Sequence, residues 1–349
     1  MSKIRLSGLI ANAKDENRKT RAKLLYHLFY AGYDIYNGNG DQVINLTNIQ
    51  DKIKESDAFV FTPGATLEDM FKAVSIFVGY QTQDADLANK PCTIVNRDNS
   101  WDDFLALIDH LNVMGTVSQK AEQFLTLLDR ARHVPKSLAD HDFGLEKPKA
   151  PKPTEPVEAL TSAPAAIPER SICVFCSASI KDESYIQEGI DLGEMIAKSN
   201  YGCVSGAGKT GIMGAIVKGA NDADGWTAGS NVPHIIALEG LPEGLNSFWP
   251  RPDIYTRMEI MLEASDAFVI MPGGCGTVQE LLALLILKLQ HDDVMHQKPI
   301  VIFNKKDAKT GLYFWQPLLD MLAKYNAADH FTVVENLDAI IPAIENEWV

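Results

Sequence analysis

The sequence lacks any apolar run approaching the roughly 20 residues that span a bilayer, which argues against a membrane partner. It opens Met1-Ser2-Lys3-Ile4 and passes straight into a strand-like pattern rather than a charged and apolar leader, so a cytoplasmic protein is expected. Positive charge is scarce: 32 Lys and Arg against 46 Asp and Glu leave a net charge of −14. Such a surface repels a phosphate backbone, which excludes nucleic acid as a partner. Metal-ligand spacing is missing as well. The eight histidines form no ligand pattern, and His291 to His296 reads as a solvated loop. Five cysteines, an odd number without a secretion signal, read as free thiols. Cys173 and Cys176 make a CxxC, but they lie in an expected strand, where residues three apart point to opposite faces. No metal is expected, and no lysine stands out as a pyridoxal-phosphate anchor.

What is present centres on Met271-Pro272-Gly273-Gly274-Cys275-Gly276-Thr277-Val278-Gln279-Glu280. Ser265 to Ile270 before it is a short apolar run of the kind that forms a buried parallel strand, and leucines recur at helical spacing from Glu280 to Leu289. The glycines therefore occupy a strand-to-helix turn. There the backbone approaches a ligand closely, and the first helical turn offers unpaired N–H groups and a positive dipole end, which together favour a phosphate. Thr277 adds a hydroxyl, and Glu280 lies one turn in, facing the same place.

The string Pro272 to Glu280 resembles the PGGxGTxxE signature of the "Lonely guy" (LOG) family, long mislabelled lysine decarboxylases, whose members are nucleotide 5′-monophosphate phosphoribohydrolases. Arg170 to Ser179 is similar to that family's first strand and Ser-containing loop, and Ser205 to Gly214 to its second glycine loop. The resemblance covers residues 170 to 345, about half the chain.

The length of 349 residues suggests two domains. Strands are expected at 3–9, 33–36, 56–61 and 90–96, with helices at 16–30, from about 67 to 78, and at 101–111. In the second half strands are expected at 172–176, 203–205, 234–238, 267–271 and 300–304. Helices should lie near 184–198, 211–222, 253–264, 277–290 and 314–325, with a late strand at 331–334. This alternation predicts an α/β fold of two Rossmann-like domains, each a parallel sheet flanked by helices. Ser56-Asp57-Ala58-Phe59-Val60 recurs letter for letter at 265–269, and Lys90-Pro91 to Asn96 recurs as Lys298-Pro299 to Asn304. Gly38-Asn39-Gly40 corresponds to Gly206-Ala207-Gly208. Ordered matches at similar spacing favour an internal duplication. The N-terminal copy is shortened: residues 41–55 stand where the second half has 209–264, Pro63-Gly64-Ala65-Thr66 replaces PGGCGT, and Asn48 replaces Arg257. The expected organisation is a degenerate, non-catalytic domain over 1–132, closed by a helix from Ser118 to Arg132. A Pro- and Ala-rich linker over 133–169 follows, then a LOG-like catalytic domain over 170–349.

Gly208-Lys209-Thr210 invites a Walker A reading, but the glycine required five residues before Gly-Lys is Cys203. Gly206-x-Gly208-x-x-Gly211 matches a dinucleotide string, yet it follows the second strand instead of the first. Arg257 and Glu259 could be a solvated face of their helix. The resemblance implies otherwise for Arg257, because family members carry a functional Arg there, usually within an Arg-Lys pair. Here Met258 follows it, a departure that bears on the base more than on the reaction.

The resemblance implies hydrolysis of the N-glycosidic bond of a nucleoside 5′-monophosphate such as AMP, with no cofactor. Glu280 and Arg257 would be catalytic. Gly273, Gly274, Gly276 and Thr277 would hold the phosphate, while Ser179, Gly206, Gly208 and Met213 would line the nucleoside side. A homodimer or higher homo-oligomer is implied. The alternative is a non-catalytic nucleotide-binding or sensor protein of the same fold.

Overall fold

A computed structural model describes residues 18–33, 56–82, 84, 90–118, 120–141, 166–241, 243–290 and 293–348. The chain divides into two compact units, residues 1–113 with 117–150, and residues 114–116 with 151–349. The strands expected at 3–9 and 33–36, Gly38 to Gly40 and Asn48 lie outside the described residues, apart from Tyr33.

The second unit holds a seven-stranded sheet built from β4 (Ser171–Phe175), β5 (Gly202–Ser205), β6 (Thr227–Asn231), β7 (Ser247–Pro250), β8 (Ala267–Ile270), β9 (Ile300–Phe303) and β10 (Thr332–Val334). Their order is β10-β9-β8-β4-β5-β6-β7, with every pairing parallel. Strands β4, β5, β8 and β9 are buried throughout, as parallel strands covered on both faces are, and β8 and β9 are unbroken apolar runs. The order in which strands are added reverses at β4, which pairs with both β5 and β8. In an open parallel sheet the crevice beyond the carboxyl ends of the strands at such a switch point is where ligands bind.

Helices Glu183–Lys198 and Gly211–Asp222 follow β4 and β5 and approach so closely at Gly193 and Gly219 that backbone meets backbone there. A Cβ on Gly193 would collide with the Ile216 carbonyl oxygen, and one on Gly219 with that of Ile190.

The first unit contains a three-stranded parallel sheet in the order β1 (Phe59–Phe61), β2 (Cys92–Val95), β3 (Thr126–Leu128). The repeated strings pair alike in the two units. Phe59 lies opposite Cys92 as Phe268 lies opposite Ile300, the residue directly after each Lys-Pro. Phe59 N–H donates to the Pro91 carbonyl (2.8 Å) and Phe268 N–H to the Pro299 carbonyl (2.9 Å). Asn96 and Asn304 end their strands identically, each accepting a main-chain bond on its side chain from a tryptophan, Trp101 (3.2 Å) and Trp315 (2.8 Å).

Three expectations need correction. Residues 234–238 are not a strand but part of the helix Pro233–Glu239, for Pro233 sits in its first turn, where its fixed φ favours a helix start. The span 118–132 is not one helix: a short helix at Ala121–Phe124 leads into β3, which completes the first sheet. The stretch given to a linker begins with a helix, Val134–Ala139, whose Val134 and Leu138 are buried against Leu24 and Leu28 of helix Arg18–Tyr30. Besides β3, two further strands went unanticipated, β6 and β7. No helix among the described residues is long and apolar enough to cross a membrane.

Substituting Gly193→Ala should cost about 1–3 kcal/mol, the usual penalty of overpacking, because the methyl meets backbone that cannot rotate away. Urea unfolding would measure it, and an unchanged midpoint would contradict the close backbone contact.

Candidate functional site

Three loops meet at the switch point. The loop after β4, Cys176 to Ser179, is fastened on both sides: Ser177 N–H donates to the Pro272 carbonyl after β8 (3.1 Å), and Met213 N–H donates to the Ser177 carbonyl (3.3 Å). Thr210 Oγ1 donates to the Ala178 carbonyl (2.8 Å). Gly211 turns the chain there with φ +63°, where a Cβ would strike the Ala178 backbone. The glycine turns after β5 and β8 are thereby held around the Ser177 loop, whose Ser177 and Ser179 hydroxyls lie 2.9 Å apart.

Arg257 enters this place from helix Ile254–Glu263, which is capped by Asp253 accepting from Tyr255 N–H (3.0 Å) and Thr256 N–H (2.9 Å). Its face carrying Ile254, Met258, Met261 and Leu262 is buried, and Arg257 goes in with it, whereas Glu259 on the opposite face is exposed. Arg257 Nε donates to the Ser230 carbonyl on β6 (2.9 Å) and Nη2 to the Gly206 carbonyl (3.4 Å). Nη2 lies 3.8 Å from Glu280 Oε1, with only 8% and 7% of the two side chains exposed. The solvated-face reading of Arg257 is thus excluded by its burial. Gly206 has no room for a side chain, since a Cβ would collide with Arg257 Nη2.

Helix Cys275–Leu289 brings Glu280 from the other side of the reversal. Its cap residue, Gly274, supplies no side chain to the first-turn N–H groups. Gly273 is packed so closely on Thr277 that a Cβ would overlap its Oγ1.

A family model described as "Possible lysine decarboxylase" matches residues 213–347. A cytokinin riboside 5′-monophosphate phosphoribohydrolase of Rhodococcoides fascians is 31% identical over 170 residues, covering 48% of this chain and 81% of that protein. The chain belongs to the LOG family. A Mycobacterium tuberculosis protein of the same description is 29% identical over 171 residues, 48% of this chain and 89% of the relative. One from Arabidopsis thaliana is 32% identical over 136 residues, 39% and 62% of the two chains. Among solved structures, a molybdenum cofactor carrier protein of Chlamydomonas reinhardtii is similar with 21% identity and a TM-score of 0.40, over 52% of this chain and 98% of that one.

In this LOG chain the structure brings Gly206, Arg257 and Glu280 into direct contact or near it, with Gly208 and Met213 alongside, where Gly208 N–H points at Met213 Sδ (2.9 Å). Gly273, Gly274, Gly276 and Thr277 form the turn and first residues of the Glu280 helix. Ser179 is exposed on the neighbouring loop. Lys209, the Walker-like lysine, reaches the other way to the exposed Glu243 (3.4 Å). One residue escaped the sequence reading: Glu239, whose Oε2 would lie 2.6 Å from a Cβ on Gly208. The only sequence signal was Pro233, which marks the helix that carries it.

Burial pushes the Glu280 carboxyl up from 4.5 to about 7, against the opposing pull of Arg257 and with a smaller upward push from Glu239. Burial raises Glu239 as well, again opposed by Arg257. Groups perturbed this way in a crevice are candidates for proton transfer. The same shift has a consequence for stability. Folding raises the affinity of Glu280 for its proton, so the stabilisation is complete below about pH 4.5 and is lost as the pH rises through about 7. Relative to Glu280→Gln, the native chain should therefore lose stability between pH 5 and pH 8. Urea midpoints of both forms across that range would check it, and parallel curves would contradict the buried, proton-binding carboxyl.

Proposed function

We propose that the chain hydrolyses the N-glycosidic bond of a nucleoside 5′-monophosphate to a free base and ribose 5-phosphate. The observation that carries this reading is the buried Arg257–Glu280 pair at the sheet's switch point, beside a helix N-terminus that no side chain caps. Loss of the base leaves positive charge on the sugar. A carboxylate beside the anomeric carbon stabilises that charge and takes a proton from water, the role assigned to Glu280. Arg257 is assigned to steady the leaving base or the phosphate with its planar guanidinium. The N–H groups at Gly273, Gly274, Gly276 and the Thr277 hydroxyl are assigned to the 5′-phosphate, and Ser179, Gly206, Gly208 and Met213 to the nucleoside. The sensor alternative leaves a guanidinium and a carboxylate buried together without a use, although such pairs seldom add stability.

The relatives' description names a cytokinin riboside monophosphate. Met258, where an Arg-Lys pair would place its lysine, is buried in the core, so a different base from that of the relatives is proposed. For the first unit, the repeated register of β1 and β2 supports a duplicated origin, and the filling of its turn supports a non-catalytic role. Gly64 and Ala65 N–H both donate to Ser100 Oγ (2.8 and 3.1 Å), and Thr66 and Asp69 cap the following helix reciprocally. A homodimer rests on the family resemblance alone, because the apolar run Leu281 to Ile286 is already buried within one chain.

A panel of nucleoside monophosphates assayed for free base tests the reaction. AMP or another monophosphate should be cleaved and its unphosphorylated nucleoside very poorly, because charge-assisted contacts are lost. Glu280→Gln should lower kcat by about 10²–10⁴-fold, the usual contribution of a general acid–base group, while still binding nucleotide. Equal kcat/KM for AMP and adenosine would reject the phosphate assignment, and full activity of the variant would reject the mechanism.

A further inference from the structure

Glu239 is a titratable side chain against the nucleoside loop that the reaction above leaves without a role. It is the last residue of helix Pro233–Glu239 and is held in place by the turn at Gly240. Gly240 takes φ +70°, its N–H closes the helix on the Ile236 carbonyl (2.8 Å), and its own carbonyl accepts from Lys209 N–H (3.2 Å). That bond ties the end of the helix to the Gly206–Gly208 loop, and the Glu239 carboxyl lies over Gly208, a position where any side chain on residue 208 would meet it. Among the described residues no hydrogen bond or ion pair engages this carboxyl. Glu280, by contrast, sits 3.8 Å from Arg257. The charged and titratable groups facing Glu239 are Arg257, Glu280 and the buried thiol of Cys176.

We propose that Glu239 is the general acid of the reaction, donating its proton to a ring nitrogen of the departing base. This rests on the nucleosidase reading. Two carboxyls, both raised by burial and with Glu239 adding to the rise at Glu280, share a site with one cation, so a proton is held between them near neutral pH. Glu280 lies 3.8 Å from Arg257 and no ion pair among the described residues engages Glu239, so in the reacting complex Glu280 takes the base's part and Glu239 carries the proton the two share. In the step itself the C1′–N bond breaks and its electron pair goes to the base. The Glu239 O–H proton passes to the base nitrogen, water adds its oxygen to C1′, and Glu280 accepts the proton that water gives up. Transfer of that proton from Glu280 to Glu239 through solvent restores the starting state. Nucleotide and water are consumed, and base and ribose 5-phosphate are formed, with no other reactant. Opposed environments that separate an acid from a base among paired carboxyls are a recurrent means of running both halves of such a reaction at one pH.

The test compares two substrates of the full-length protein: AMP, whose base leaves poorly without a proton, and 4-nitrophenyl β-ribofuranoside 5-phosphate, whose leaving group departs as a stable anion. Glu239→Gln should lower kcat on AMP by about 10²–10⁴-fold and leave kcat on the nitrophenyl substrate within a few-fold of the native enzyme. Glu239→Asp, which keeps an acid, should recover part of the AMP rate. Glu280→Gln should lose both substrates, since both need the charge at the sugar. Equal losses on the two substrates in Glu239→Gln, or an undiminished AMP rate, would overturn the acid role while leaving the nucleosidase reading intact. A native enzyme inactive on both would overturn both.

Discussion

Keeping the Arg257 guanidinium charged in a place almost closed to water constrains most of what surrounds it. An uncompensated buried cation costs several kcal/mol, so each face of the fork needs an acceptor, and the fold supplies the Ser230 carbonyl, the Gly206 carbonyl and the Glu280 carboxylate. Bringing the Gly206 carbonyl that close leaves no volume for a side chain on residue 206. The same loop folds back over β6, where a Cβ on Gly229 would lie 2.8 Å from both Ala207 Cβ and the Ser205 carbonyl. Asn231, at the end of β6, donates from Nδ2 to the Ala207 carbonyl (3.2 Å) and helps hold Ala207 at φ 53°, a conformation unusual for a residue with a side chain. The electrostatic requirement of one arginine thus reaches back into the composition of a strand.

That composition is also why β6 could not be read from the sequence. Thr227-Ala228-Gly229-Ser230-Asn231 is buried along its whole length, yet it carries none of the branched or aromatic residues by which strands announce themselves, Thr227 apart. Its neighbours are crowded by a loop, and small residues were the ones that fitted. The opposite error came at His234 to Leu238, where Ile235, Ile236, Ala237 and Leu238 form an apolar run short enough for a strand. There the decisive residue was Pro233, outside the run. Leu238 and Ala237 end up exposed, so the run was never a continuous core segment. Misplacing that helix concealed Glu239, which no motif marked.

The parts that were legible share a different property. β8, β9 and the helix after PGGCGT are buried on nearly every side, so their apolar continuity is the physical condition of their position. Arg257 and Glu280 could be paired in advance only through the family resemblance, for nothing in their separation of 23 positions along the chain requires contact. Cys173 and Cys176 illustrate the converse. Their spacing suggested chemistry, and both prove to be buried thiols pushed well above their usual pKa, first by burial and then by Glu280, which suits packing and not nucleophilic attack.

The two glycine turns show how little separates a ligand site from a self-satisfied one. Each follows a strand spelled Ser-Asp-Ala-Phe-Val, and in each unit the next strand ends in an Asn–Trp contact. Immediately before the tryptophan stands Ser100 in one unit and Phe314 in the other. The Ser100 hydroxyl accepts the Gly64 and Ala65 N–H groups and is held there by the same turn that places Trp101, while Thr66 and Asp69 satisfy the first helical turn. The Phe314 side chain has no atom that could accept, and Gly274 has no side chain with which to cap. Since unpaired N–H groups at a helix start seek an acceptor, the first turn has found its own within the unit. The second turn has no such side-chain cap. Glu68 and Asp69 add a further difference, for they put negative charge at the first helix's start, where PGGCGT puts none. One hydroxyl and a reciprocal cap satisfy the first turn from within its own unit, while the strands on either side keep the register seen in the second unit.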